Sequence, residues 1–216
     1  MQISRTTPLF SASLSIATLI LSTDFAAAAI GRQPDFNGDG YADLVMPAPG
    51  EKIGSDKAAG AVNVIYGGAQ KLTDVGNQFW HQDVSGIAES TGKNDEFGGA
   101  LAWGDFNADN YADLVVSAPG ENSGAGAVHV IYGSAAGLAS GGSQIWRQGS
   151  GGVIGSPGAD EHFGYALAIG DFNGDGVDDL AIGVPDQSVG GDDGAGAVHV
   201  LMGSAGAGLS ANGSQY

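Results

Sequence analysis

The chain has 216 residues, with 24 Asp and Glu against seven Lys and Arg, a formal charge of −17. A surface this negative repels nucleic acid and anionic lipid and attracts cations, so a nucleic-acid partner is excluded. No cysteine is present, which removes disulfides and thiol chemistry, and the 39 glycines imply disorder unless they fall at regular positions.

The first 29 residues read as a secretory signal peptide. Arg5 supplies the positive n-region, residues 9–22 form an apolar stretch of h-region length, and Ala26 to Ala29 offer an A-x-A cleavage site, which places the mature start at Ile30. The stretch is short for a membrane span and small residues follow it, so no span is expected after cleavage and the protein is expected to be secreted or extracytoplasmic.

From Asp35 onward the chain repeats itself. DFNGDGYADLVMPAPGE recurs as DFNADNYADLVVSAPGE at Asp105 and as DFNGDGVDDLAIGVPDQ at Asp171, offsets of 70 and 66 residues. GAVNVIYGG, GAVHVIYGS and GAVHVLMGS keep step from Gly60, Gly126 and Gly196, as do NQFWHQ from Asn77 and SQIWRQ from Ser143. Each unit reads as four short strands: a small-residue strand ending in the acidic loop, an apolar strand such as ADLVVSAP, then AVHVIYG, then the Trp-bearing segment. No window outside the leader has helical spacing with caps.

The first strands are rich in Gly and Ala (Gly98, Gly99, Ala100 and Ala102; Gly164, Ala166 and Ala168), and the second strands are apolar on both faces. Small side chains fit where sheets converge on an axis, and two-sided burial follows when sheets stack, so the expectation is all-β: β-propeller blades of four antiparallel strands. A β-sandwich is the alternative; it predicts one polar face per strand and gives no reason for a 66-residue period. The units are placed at residues 30–92, 93–158 and 159–216, the first with an incomplete inner strand and the last with a truncated outer strand, giving an incomplete or truncated propeller of about three blades.

Each acidic loop has the spacing D-x-N-x-D-G-x-x-D, with side-chain oxygens at positions 1, 3, 5 and 9 and a backbone carbonyl available at position 7. Oxygen donors suit a hard divalent cation, and three carboxylates around one centre repel each other unless such an ion neutralises them. Gly40 and Gly176 supply the left-handed turn at position 6, where Asn110 is the next most tolerant residue. Position 12 is Met46, Val116 or Ile182 and strands flank the loop, so this is not an EF-hand. An Asx-rich hairpin turn is the plainer reading of one loop; three copies in phase favour about three calcium ions.

These residues resemble the FG-GAP repeat of the integrin α-subunit β-propeller: Phe97-Gly98 and Phe163-Gly164, then the acidic loop, then Ala118-Pro119 and Val184-Pro185. The resemblance spans residues 33–216; similar repeats occur in bacterial exported proteins and in glycosylphosphatidylinositol-specific phospholipase D. It implies a seven-bladed propeller fold with Ca2+ in the loops between the first and second strands. The implied metal residues are Asp35, Asn37, Asp39, Tyr41 and Asp43; Asp105, Asn107, Asp109, Tyr111 and Asp113; and Asp171, Asn173, Asp175, Val177 and Asp179, with Tyr41, Tyr111 and Val177 giving backbone oxygen. The first unit departs from the pattern in lacking Phe-Gly. Three blades cannot close, and the edges left open invite pairing with another chain.

Strand order puts the acidic loops at one end of the blades and the longer loops (residues 49–60, 83–96, 119–126, 149–162 and 185–196) at the other. A protein or glycan ligand is expected at the second end, opposite the calcium loops, as the integrin resemblance also implies. No nucleophile elbow, zinc motif or phosphate loop appears, so the chain itself is not read as an enzyme. Three functions stand open: a calcium-stabilised adhesion or protein-recognition module, the non-catalytic propeller of a truncated, phospholipase-like exported hydrolase, and a lectin stacking sugar on Trp80 and Trp146.

Overall fold

A computed structural model describes residues 33–215. The signal-peptide expectation for residues 1–29 lies outside them. Short runs of Val, Ile, Leu and Ala, broken by Gly, Pro and Asp, form eleven strands: β1 Leu44–Ala48, β2 Ala61–Ile65, β3 Gln78–Trp80, β4 Leu101–Gly104, β5 Asp113–Ala118, β6 Ala127–Tyr132, β7 Ala139–Trp146, β8 Ala166–Gly170, β9 Asp179–Val184, β10 Ala197–Met202 and β11 Ser210–Gln215. They make three antiparallel meanders, β1-β2-β3, β4-β5-β6-β7 and β8-β9-β10-β11, and the described residues form an all-β fold of blade-like sheets.

The registers repeat as the sequence does. Leu114 pairs with Ile131 in the second sheet and Leu180 with Leu201 in the third. Among the described residues the first sheet has three strands. The third sheet has four: β11 pairs Gln215 with Val200, matching the pairing of Gln144 with Val130. The four residues Glu121–Gly124 turn helically in name only, because Asn122 and Ser123 take φ of 52° and 63°, in the left-handed region.

The sheets stack face to face, and two apolar layers lie between them. Phe36, Val62, Val64, Tyr66 and Trp80 pack on Leu114, Val116 and Ile131 of the next sheet. Phe106, Val128, Val130 and Trp146 pack in the same way on Leu180, Ile182 and Leu201. Having a neighbour on each side, the middle sheet buries all six positions of β5, whereas β1 is largely exposed. Full burial of each such side chain stabilises by about 1.5–3 kcal/mol, so these layers dominate cohesion. Gly104 suits the close approach of β4 to β8, since a Cβ there would meet Ile169 Cγ2 at 2.9 Å.

Polar contacts in phase join one sheet to the next. The Phe97 amide donates to Ala59 O at 2.9 Å and the Phe163 amide to Ala125 O at 3.1 Å. The Tyr66 hydroxyl donates to Gln78 Oε1 at 2.6 Å and accepts from the Leu138 amide at 2.9 Å, while Gln78 Nε2 donates to Leu138 O. Tyr132 and Gln144 grip Leu209 in the same manner.

Candidate functional site

The second and third acidic loops join β4 to β5 and β8 to β9, and the first leads into β1. Their sequences dictate one local structure three times, because Asp and Asn oxygens capture backbone amides two to five residues on. In the first loop Asp35 Oδ1 accepts from the Asp39 amide at 3.1 Å and Asp35 Oδ2 from the Gly40 amide at 3.0 Å. Asn37 Oδ1 also accepts from the Asp39 amide, and Asp39 Oδ1 from the Tyr41 amide. Asp105, Asn107 and Asp109 take the same partners around Asn110 and Tyr111. Asp171, Asn173 and Asp175 repeat the set around Gly176 and Val177.

Position 6 is left-handed throughout, with φ of 87°, 73° and 88° at Gly40, Asn110 and Gly176. Position 4 is left-handed as well, at Gly38, Ala108 and Gly174, which the sequence reading missed although Gly stands there twice. Two non-glycine residues with positive φ therefore sit in the second loop, a local strain the others avoid.

The ninth residue differs from the rest. Asp43, Asp113 and Asp179 are buried, and each joins two backbone segments. Asp43 accepts from the Phe36 amide at 2.7 Å and the Gly67 amide at 2.8 Å. Asp113 does so from Phe106 and Gly133, and Asp179 from Phe172 and Gly203. Burial pushes Asp113 up to about 7, against the pull of its two amide donors, and the charges of Asp109 and Asp105 push it further. Asp43 is raised for the same reasons, burial first. Exposed Asp171 is instead lowered, chiefly by the Gly176 amide.

Fit to a divalent cation divides into chemistry and convergence. The donors are all oxygen, they lie at a solvent-facing end of the blades, and a carboxylate has about four acceptor positions, so one or two amide bonds leave capacity for an ion. Among the described residues, however, no three Asp, Glu, His or Cys side chains converge closely enough to hold a metal. The carboxylates turn toward backbone amides, and in each loop the Asn amide donates to the fifth residue's carboxylate. The donor set fits calcium in kind and would need side-chain rotation to enclose it.

At the other end, the loops preceding β4 and β8 and that between β5 and β6 surround a cleft of about 450 Å³ lined by Lys93, Asn94, Glu96, Ser123, Asp160 and His162. Five of these six, all but Lys93, hold positive φ between 58° and 66°, and such strain gathers where surroundings over-determine the backbone. His162 Nδ1 lies 3.1 Å from Asp186 Oδ2.

Other sequence candidates resolve as framework. Trp80 and Trp146 are buried in the inter-sheet layers, which corrects the lectin reading: neither ring has a free face for a sugar. His129 and His199 are buried with their rings 5.3 and 5.5 Å from those of Phe97 and Phe163. Two kinds of residue escaped sequence reasoning. The Tyr–Gln grip was visible only as the in-phase pairs Tyr66 with Gln78 and Tyr132 with Gln144. Asp178, whose carboxylate accepts from the Asp105 amide at 2.8 Å, has no counterpart in the other units.

Comparison with known proteins agrees with this geometry. The FG-GAP repeat profile matches residues 34–65, 97–131 and 163–201, once in each sheet. Phosphatidylinositol-glycan-specific phospholipase D of Rattus norvegicus is 36% identical over 155 residues, covering 70% of this chain and 17% of that protein. Integrin alpha-PS5 of Drosophila melanogaster is 35% identical over 153 residues, and integrin alpha-7 of Rattus norvegicus 31% identical over 179, each alignment covering 14% of the relative. The chain thus spans less than a fifth of the length of these relatives. With three profile matches falling on three sheets of one register, the chain belongs to the FG-GAP repeat family, with integrin-α-like propeller blades.

Proposed function

We propose that this chain is an exported, calcium-stabilised propeller module whose role is adhesion or protein recognition, not catalysis. The observation that carries this is the acidic loop itself, which recurs three times with the same residues making the same backbone bonds. A bound calcium ion would supply positive charge beside Asp43 and Asp113, which burial first and then the neighbouring loop carboxylates push upward. The loop residues Asp35, Asn37, Asp39 and Asp43, with their counterparts in the other two loops, would hold it, and the carbonyls of Tyr41, Tyr111 and Val177 would complete the shell. Such extracellular sites bind at roughly 10⁻⁴ to 10⁻³ M, which makes the ion structural. Recognition would fall to the opposite end, where the strained cleft lies.

The experiment is a melting curve in excess chelator and in millimolar calcium. At about ten times its dissociation constant each ion adds roughly 1.4 kcal/mol, so three filled sites raise the melting temperature by about 8–16 °C. Equal melting temperatures would remove calcium from the proposal. Export is read separately, by an N-terminus at Ile30 on protein recovered outside the cell. The second reading is the non-catalytic propeller of a hydrolase. The identity with the rat phospholipase D favours it, and genomic sequence adjoining this chain that encodes a hydrolase domain would establish it.

A further inference from the structure

At the end of the blades away from the acidic loops, three polar side chains are buried together and two of them are acids. Gln82 follows β3, Asp95 lies in the loop before β4 and Glu121 in the loop between β5 and β6; they are 0%, 5% and 5% exposed. Gln82 Nε2 donates to Glu121 Oε2, the Asp95 and Glu121 carboxyl groups are hydrogen-bonded to each other, and the Gly92 amide donates to Asp95 Oδ2. Among the described residues no cation is paired with either acid. Arg147, whose charge Glu121 feels, is held by Glu89 at 2.5 Å.

Ionised carboxylates only accept, so a hydrogen bond between two of them requires a proton on one. The next sheet writes the same arrangement in neutral form. Gln187 stands at the register of Glu121, Glu161 at that of Asp95 and Gln148 at that of Gln82, and the Gly158 amide donates to Glu161 as the Gly92 amide does to Asp95. A side-chain amide has a donor side and an acceptor side, as a protonated carboxyl has. The register therefore gives the proton to Glu121 and the charge to Asp95.

We propose that Glu121 is protonated in the fold and donates to ionised Asp95, and that this shared proton latches together the two loops behind the cleft. Asn94 and Glu96, on either side of Asp95, and Gly120, beside Glu121, line that cleft, and the Gly120 amide donates to Asp95 O at 3.2 Å. Loss of the proton leaves two buried negative charges in contact and lets residues 83–96 part from residues 119–126. Burial first, then the charges of Asp95 and Glu89, push Glu121 upward against the pull of Gln82 and Arg147. Asp95 is raised as well, by burial first and then by the charges of Asp56 and Glu89. Of the other ionisable groups here, Lys93 and Glu96 share the Asp95 loop, His81 precedes Gln82, and His129, in ring contact with Phe97, is kept neutral by burial. No acidic-loop carboxylate takes part, so the latch stands apart from the calcium reading.

Carbon-13 NMR of the side-chain carboxyls, on the full chain in millimolar calcium, reads the proton directly. Glu121 is expected to titrate above the ordinary glutamate value of about 4.3, and lower in Asp95→Asn, whose amide can donate to an ionised Glu121. The fold then binds more protons than the unfolded chain between the ordinary value and the folded one. Stability therefore falls as pH rises through that window, by up to about tenfold in the folding constant per pH unit. Glu121→Gln, the residue the third sheet has as Gln187, is expected to lose that slope in urea midpoints; the difference from the parent cancels the titration of Asp43 and Asp113. Amide exchange, corrected for its intrinsic pH dependence, is expected to quicken at residues 83–96 and 119–126 across the window in the parent and not in Glu121→Gln. A Glu121 carboxyl that titrates at or below the ordinary value overturns the proposal, whether or not the variant folds. So do parallel profiles of parent and variant, or a Glu121 titration that Asp95→Asn leaves unmoved.

Discussion

Gly60 and Gly126 end the loops that lead into β2 and β6, at the point where one sheet touches the Phe-Gly segment of the next. Both have positive φ, 88° and 85°, and a Cβ on either would overlap backbone atoms of Phe97 or Phe163. Gly196 holds the same place in the third sheet with φ of 78°, but its Cβ would meet only Pro185 O, at 2.9 Å, in its own sheet. Replacing each by Ala separates two effects. The left-handed backbone alone costs about 1 kcal/mol. Overlap with the neighbouring sheet's backbone adds about 1–3 kcal/mol, since backbone cannot move aside as a flexible side chain can. Gly126→Ala and Gly60→Ala are therefore expected to lose about 2–4 kcal/mol and Gly196→Ala about 1–2 kcal/mol. At about 2–4 °C per kcal/mol for a domain of this size, thermal melts should separate the first two variants from the third by several degrees. Equal losses at all three positions would show that the approach of successive sheets is not what selects glycine there.

Tyr66→Phe removes the acceptor of the buried Leu138 amide, 2.9 Å away, and should cost about 1–3 kcal/mol by urea titration. Tyr132→Phe should cost less, because the Leu209 amide is 3.3 Å from its hydroxyl. Burial pushes His129 down to about 3 from 6.5, so it stays neutral in the fold while the unfolded chain takes a proton. Its contribution is complete above about pH 6.5 and declines as pH falls toward 3, by up to about 1.4 kcal/mol per unit. His129→Asn, the residue the first unit has as Asn63, should flatten the pH dependence of the urea midpoint between pH 6.5 and 4.5; an unchanged slope would refute this. Asp179→Asn should cost about 1–3 kcal/mol even in chelator, because its amide nitrogen would face the donor of Phe172 or Gly203. Asp175→Asn should chiefly reduce the stabilisation by added calcium, as melts in both media would show.

The architecture was legible because one period governs sequence and structure alike. Strand order and two-sided burial of the middle sheet followed from the in-phase runs around Asp105, and the all-β class from the absence of helical spacing. The contacts between sheets were not legible, because they join residues some 37 to 77 positions apart. Nothing local in Tyr66 says that its hydroxyl meets Leu138, or in Gly126 that it touches Phe163. The loops were legible in composition and less so in geometry. Position 6 follows from Gly40 and Gly176, whereas the left-handed Ala108 contradicts its own residue preference and is imposed by a turn whose hydrogen bonds match those of the glycine-bearing loops. The lectin alternative failed at the same level. Repetition of Trp80 and Trp146 signals equivalence of position, and burial of that position depends on a neighbouring sheet the local sequence does not announce.

The ninth loop residue shows why an acidic motif and a fold-holding motif share the same letters. Asp43, Asp113 and Asp179 each connect the start of their own loop to the end of the third strand, at Gly67, Gly133 and Gly203. These glycines leave no room for a side chain, since a Cβ would strike the backbone oxygen of the residue before the Asp. One carboxylate thus locks three segments of a sheet without any ion, and it does so where burial disfavours its charge. The Asp carboxylates at positions 1 and 5 and the Asn amide at position 3 bond backbone within their own loop, and apart from buried Asp105 they are at least partly exposed, where a gathered cation would be exchangeable. Holding the sheet and presenting charge are therefore assigned to different residues of a nine-residue segment. The backbone bonds of the loop recur intact even where Ala108 and Asn110 stand in place of the glycines.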